Sequence, residues 1–254
     1  MKSIISIITI VKDDPVGLRL TLDSLAGQSL RPEVYVISGG GHDGNNTVCR
    51  EFGDLITMAV FEDDAGIADA FNKGLRLLNE CSYVCFLNAG DYFGDSTVIE
   101  KTENFIKTKK ETAIYYGDFW IVDSECRQLV NVPRHIDWNL FRGQNPINHQ
   151  SSFVPYDMAI STPYDGRLLL GMDYDMWLKL LKGGGAYIYM GFGVACFSKG
   201  GRSNNPRWQV HQVFIRTALY CINRGGCISF WDVCGLFVVA LRKYVMALIR
   251  YKFR

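Results

Sequence analysis

SIISIITIVKDDP, residues 3–15, is a continuous apolar, β-branched run that stops abruptly on charge and proline. Its hydrophobicity does not alternate, which predicts a strand buried on both faces of a parallel sheet. Leu18, Leu22 and Leu25 follow at helical spacing, with Gly27 as the stop. The pattern then repeats. Glu33 to Ile37 reads as a second strand, punctuated by Gly39-Gly40-Gly41, and Thr47 to Phe52 as a short helix. Ile56 to Phe61 reads as a third strand. Gly66 to Leu78 reads as a helix with Ile67, Ala70, Phe71, Gly74, Leu75 and Leu78 on its apolar side. Tyr83 to Leu87 is the fourth strand, ending at Asn88-Ala89-Gly90-Asp91.

Strand and helix alternating with short connections predict an α/β fold, a mostly parallel central sheet with helices on both faces. Such sheets bind ligands at the carboxyl ends of their strands. Four polar segments therefore converge on one rim: Thr9 to Asp13, Ser38 to Asp43, Glu62 to Asp64, and Asn88 to Asp91. Beyond them, Thr97 to Thr108 reads as a helix, Ala113 to Trp120 as a strand and Val122 to Val132 as a hairpin arm. Residues 133 to 150 read as loop, Asp173 to Leu181 as a helix closed by Gly183-Gly184-Gly185, and Ala186 to Phe192 and Val194 to Phe197 as two strands.

Composition narrows the class. The chain has 254 residues, 48% hydrophobic and 21% charged, which fits one large folded domain and excludes a disordered chain. The net charge of +1 is divided unevenly. From Arg202 onward nine Lys/Arg face one acid, Asp232, and the first 201 residues keep 18 of the 27 bases and 25 of the 26 acids. An acidic body with a basic tail suggests a tail that meets something anionic. The eight cysteines form no CxxC pair and have no His cluster, which reads as buried reduced thiols in a cytoplasmic protein. Only Lys2 precedes the first strand, so no secretion signal is expected.

A carboxylate at a strand end, such as Asp91 after Gly90, suits a hard divalent cation that grips a diphosphate. Asn-Ala-Gly-Asp alone is also an ordinary turn composition. Five further segments add to it. SIITIVKDDPVGLRLTLDSLAGQS, VISGGGHDGNNT, EDDAGIADAFNKGL, LNAGD, NHQSSF and GMDYDMWLKL resemble, in order, the motifs of inverting family-two glycosyltransferases, over about residues 3 to 203. The nearest flavour is the branch that assembles bacterial exopolysaccharide, such as the colanic-acid enzymes.

The resemblance implies a GT-A (Rossmann-like, nucleotide-diphospho-sugar transferase) fold and assigns roles by position. Thr9, Val11, Ser38 and Asp43 lie around the nucleoside. Glu62, Asp64, Lys73, Asn88, Ala89 and Gly90 border the donor, with Asp69 and Asn72 on the helix that follows. Asp91 coordinates Mn²⁺ or Mg²⁺, His149 and Gln150 lie beside the acceptor or donor sugar, and Asp173 is the general base. Single in-line displacement needs one base on the acceptor side and charge neutralisation on the leaving side, and no covalent nucleophile. Ser38, Asn88, Gly90 and Met172 stand where the family usually has acids. Asp173 opens a helix and is also read as a cap or a partner of the helix dipole. Lys199 and Arg202 are read equally as a diphosphate clamp or exposed charges.

The implied partners are a nucleotide-sugar donor, UDP-linked, and a saccharide or polyprenyl-linked acceptor; nucleic acid is not expected. Residues 1–203 form the expected domain and 204–254 a basic, apolar helical region. In that region Asp232, Lys243, Arg250 and Arg254 share one helical side, with nine uncharged residues from Val233 to Leu241. That is too short to span a bilayer and fits an in-plane helix on the inner membrane, or a contact with the domain or with a second subunit in a homodimer. The rival functional reading is a nucleotide-sugar-binding protein that has lost catalysis.

Overall fold

A computed structural model of the chain describes residues 3–40, 42–78, 82–123, 126–141, 144–198 and 206–224. Its elements run β1 (Ile5–Val11), α1 (Pro15–Ala26), β2 (Glu33–Ser38), α2 (His42–Glu51), β3 (Met58–Phe61), α3 (Ile67–Leu77), β4 (Tyr83–Asn88) and β5 (Tyr92–Phe93). They continue with α4 (Val98–Lys109), β6 (Ala113–Val122), β7 (Arg127–Val130), a 3-10 turn (His149–Ser151), β8 (Ser152–Pro155), α5 (Tyr156–Ser161), α6 (Met172–Lys182), β9 (Ala186–Ser198) and α7 (Pro206–Arg224).

The described strands form one sheet in the order β3-β2-β1-β4-β8-β6-β9-β5, with β7 on the flank of β6. β3, β2, β1 and β4 are parallel, as the apolar runs require. β8 then joins antiparallel to both β4 and β6, and β9 runs parallel to β6. Helices cover both faces. Leu18, Leu22 and Leu25 of α1 and Ile99 of α4 pack with Val48 on one side. Phe71 of α3, Trp177 of α6 and Tyr220 of α7 pack on the other. Each such side chain removed from water contributes about 1.5–3 kcal/mol.

Local chemistry sets the ends of α1. Asp14 accepts the Gly17 N–H at 2.8 Å as its N-cap, Pro15 occupies the first turn, and Gly27 closes it.

Several boundaries differ from the expectations. α2 begins at His42 rather than Thr47, so the Gly-rich turn runs directly into a helix. β9 is one strand of 13 residues, not two. Its register against β6 shifts near Tyr116 and Asp118, and that irregularity explains the broken pattern in sequence. β5, β8 and α5, all short, were not expected.

α7 packs on α6. Ile215 and Leu219 lie against Gly171, and Asn223 Nδ2 reaches the buried Asp175 at 3.4 Å. Among the described residues, no helix is long and apolar enough to cross a membrane. The helix expected over residues 229–254 lies outside the described residues, as do Lys199 and Arg202.

α3 sits tightly on β1. A Cβ at Gly74 would stand 2.4 Å from Ile8 Cγ2. Gly74→Val should therefore lower stability by about 1–3 kcal/mol through overpacking, read as an earlier urea midpoint with an unchanged slope.

Candidate active site

The ends of β1, β2 and β4 meet at one rim, and Gly39 lets two of its loops touch. A Cβ there would overlap the Asp64 carboxylate, whose Oδ1 accepts the Gly66 N–H at 2.9 Å. The stem of Lys12, an exposed cation just after β1, lies beside Gly40. Lys12 was not among the expected contacts, and its position after the first strand was the available signal. Asp43 is exposed in the first turn of α2.

Other expected donor contacts are differently employed. Thr9 and Ser38 are 0% exposed and Val11 is 5% exposed. Ser38 Oγ donates to Gly40 O at 3.2 Å and accepts from the buried Asn45 amide at 3.0 Å. All three side chains are buried, and that of Ser38 stiffens the end of β2 from within. Their burial follows from the helices, which cover both faces of β1 and β2.

Lys73 reaches Glu62 at 3.0 Å, Asp69 at 3.2 Å and the Asp63 carbonyl at 2.7 Å. Glu62 foremost, then Asp69, holds its ammonium above the usual lysine range. It staples the loop between β3 and α3, so Glu62 and Lys73 serve each other first.

The Asn88–Asp91 turn is pinned to α1. Thr21 Oγ1 accepts the Gly90 N–H at 3.0 Å and donates to Asp91 O at 2.7 Å. Gly90 has φ of 92°, a conformation that favours glycine, with open space where a Cβ would stand. Ala89 is half-buried, its N–H donating to Ile10 O at 3.0 Å.

Asp91 is only 4% exposed. Its Oδ2 accepts from Gln150 Nε2 at 2.7 Å and Asn88 Nδ2 at 3.3 Å, and its Oδ1 from the Ser198 N–H at 3.1 Å. Burial raises its carboxyl above the usual range, against the opposing pull of these donors and of His149. Both oxygens are enclosed by neutral donors, and the described residues hold no group of three His, Cys, Asp or Glu able to bind a metal. This donor set does not fit the divalent cation expected at Asp91. The carboxylate instead ties β4 to the 3-10 turn and the end of β9. Gln150, 1% exposed, belongs to that tie.

Asp173 lies in the first turn of α6. The N-cap is Gly171, with φ of 74°, so the capping alternative for Asp173 does not hold. Its Oδ2 accepts from Asn145 Nδ2 at 2.8 Å and faces His149 Nδ1 at 3.8 Å. A fifth of the Asp173 side chain, 20%, remains accessible. Burial pushes its carboxyl up, but the His149 ring, the Arg216 charge and the Tyr174 backbone N–H outweigh it and hold the carboxyl below its usual value. The helix N-terminus favours the same ionised form. Burial, then the Asp173 charge, pushes the Tyr164 phenol well up, so it stays protonated.

Asn145, Tyr164 and Arg216 were missed in sequence. Asn145 sits in a stretch read only as loop, and Arg216 on a helix that periodicity did not join to the site. Asn72 is now placed: its amide exchanges two hydrogen bonds with the Tyr164 backbone, at 2.8 and 3.0 Å. Asn88 Oδ1, Asn145 Oδ1, His149 Nδ1, Gln150 Oε1 and Tyr164 Oη are buried without a hydrogen-bond partner. Unpaired polar atoms of this kind are rare in a core, and here they gather around Asp91 and Asp173.

The fold of the described residues matches solved structures across most of the chain. Staphylococcus aureus TarS residues 1–349 with UDP-GlcNAc superposes with a TM-score of 0.66 at 13% identity, covering 86% of this chain and 66% of that one. The mannosyltransferase PcManGT of Pyrobaculum calidifontis, with GDP-Man and Mn²⁺, gives 0.65 at 15% identity, covering 98% and 75%.

This is the GT-A fold.

In sequence, the GT-A chain is 26% identical to the glycosyltransferase GlyA of Streptococcus pneumoniae serotype 4 over 105 residues. That match takes in 39% of this chain and only 15% of GlyA's length. No protein-family model matches. The similar proteins are all named as glycosyltransferases or, for TarS, bound to a nucleotide sugar.

Asp91→Ala leaves the Ser198 N–H and the Gln150 amide without an acceptor, a cost of about 1–3 kcal/mol. The melting temperature should fall equally in Mn²⁺ and in EDTA. A Mn²⁺-dependent stabilisation present in the parent and lost in the variant would restore the metal role.

Proposed function

We propose that this chain is an inverting glycosyltransferase that moves a sugar from a nucleoside-diphosphate donor, UDP-linked, to a hydroxyl of a saccharide or polyprenyl-linked acceptor. The observation that carries the reading is Asp173. It is held ionised, partly accessible, and within one imidazole of the turn that ends β4.

The chemistry follows from that placement. An ionised carboxylate takes the proton of the acceptor hydroxyl as its oxygen attacks the anomeric carbon. The bond to the diphosphate breaks on the opposite face, so configuration inverts in one step and no enzyme nucleophile is needed. Lys12, exposed beside Gly40, is the described cation set to meet the departing diphosphate. Asp43, Asp64 and the Gly39-Gly40 backbone frame the nucleoside. UDP-GlcNAc in TarS supports a UDP donor here.

Asp173→Asn should abolish turnover, by at least about a hundredfold, while UDP still raises the melting temperature as in the parent. Loss of UDP binding together with turnover would remove the base assignment. A parent that binds UDP but turns over no common donor would favour the rival, a nucleotide-sugar-binding protein without catalysis; the closure of Asp91 is the observation on that side.

For localisation, the apolar and basic stretch 229–254 supports peripheral attachment to the cytoplasmic face of an anionic membrane, where a polyprenyl-linked acceptor resides. Surface polysaccharide synthesis is the pathway this would serve. Deleting residues 229–254 should move the protein from the membrane to the soluble fraction, measured by flotation with anionic vesicles. Equal partitioning of both forms would remove the membrane reading.

A further inference from the structure

Asp91, Asn88, His149 and Asp173 form one line of contacts across the rim. The Asn88 amide nitrogen carries two hydrogens. One faces Asp91 Oδ2 at 3.3 Å and the other faces His149 Nε2 at 3.2 Å. The reversed amide would set the Asn88 oxygen against a carboxylate oxygen, acceptor against acceptor. Asp91 has no freedom to relieve that contact, because Gln150 and the Ser198 N–H hold it from the other directions. Asp91 therefore fixes which way Asn88 points.

A ring nitrogen that receives an N–H must keep its lone pair free. Nε2 of His149 is that nitrogen, so the ring proton lies on Nδ1, the nitrogen facing Asp173 Oδ2 at 3.8 Å. Phe71 packs edge-on to the imidazole with ring centroids 5.8 Å apart and restricts its rotation. An acid at position 88 could not do this. It would stand beside Asp91 with no hydrogen to offer the ring.

We propose that Asn88 and His149 are positioning residues, oriented by the buried Asp91, which direct the imidazole Nδ1–H at Asp173 and so keep that carboxylate aimed. The proposal rests on the reading of Asp173 as the base. Other groups face Asp173 as well: Asn145 from the preceding loop, Tyr164 from the segment before α6, Arg216 from α7 and the Tyr174 N–H of its own helix. Removing His149 therefore weakens the hold on the carboxylate without abolishing it.

The test uses full-length protein labelled with ¹⁵N at its four histidines. Ring nitrogen shifts should show one histidine in the Nδ1–H tautomer, and His149→Gln should delete that signal. In Asn88→Leu the same histidine should revert to the Nε2–H form. With UDP-GlcNAc as donor, read by UDP release, both variants should lose about a hundredfold in kcat with KM for the donor within about twofold. The acid limb of the pH profile should move upward. Its direction follows from the ring dipole: a neutral Nδ1–H facing Asp173 favours the carboxylate, so without His149 the base is protonated at a higher pH.

An Nε2–H tautomer for His149 in the parent overturns the proposal. So do variants with parental kcat and an unmoved acid limb. The tautomer decides the question even for a donor that is not turned over. If Asp173→Asn is inactive while the other variants behave like the parent, only the positioning role fails. If Asp173→Asn stays active, the base assignment fails instead.

Discussion

One buried carboxylate holds the two halves of this sheet to a common edge. Asp91 joins the end of β4 to the 3-10 turn and to the last residue of β9, segments 59 and 107 residues away in sequence. A charge is costly to remove from water unless its hydrogen bonds are replaced, and here three donors replace them. The parallel half supplies the loops after β1, β2 and β4, and the mixed half supplies the loop bearing His149. Without this junction the two halves would share a sheet but not a defined rim.

The parallel half was legible because its signal is physical and local. Each strand is buried on both faces, so β1, β2 and β4 read as unbroken apolar runs, and α1 and α3 carry leucine and aromatic stripes at helical spacing. The mixed half was less legible for equally physical reasons. β8 has four residues, too few to show a period, and its place between β4 and β6 depends on contacts far apart in sequence. The shift in register near Asp118 made one long strand look like two.

The site was legible in its members more than in their uses. Asp173, His149, Asn88 and Asp91 form one line of neighbours at the rim. Yet a motif names a position without saying which way a side chain is turned or what satisfies it. Thr9 and Ser38 fall in the right place and are sealed inside. Lys73 is expected to border the donor, and in the fold it is paired with Glu62 and Asp69. Asp91 looks like a metal ligand and is a joint. Asn145 carried no signal because loop residues have no period, and only the folded chain brings it 2.8 Å from Asp173.

The first turn of α6 is used from two sides. Asp173 looks to the rim, and two residues on Asp175, 3% exposed, is bound by Lys179 at 2.5 Å and approached by Asn223 of α7. Any tilt of α7 must either carry the helix bearing Asp173 with it or break a buried polar contact. In mechanical terms the two helices are a single lever, so a load on the far end of α7 is felt at the carboxylate.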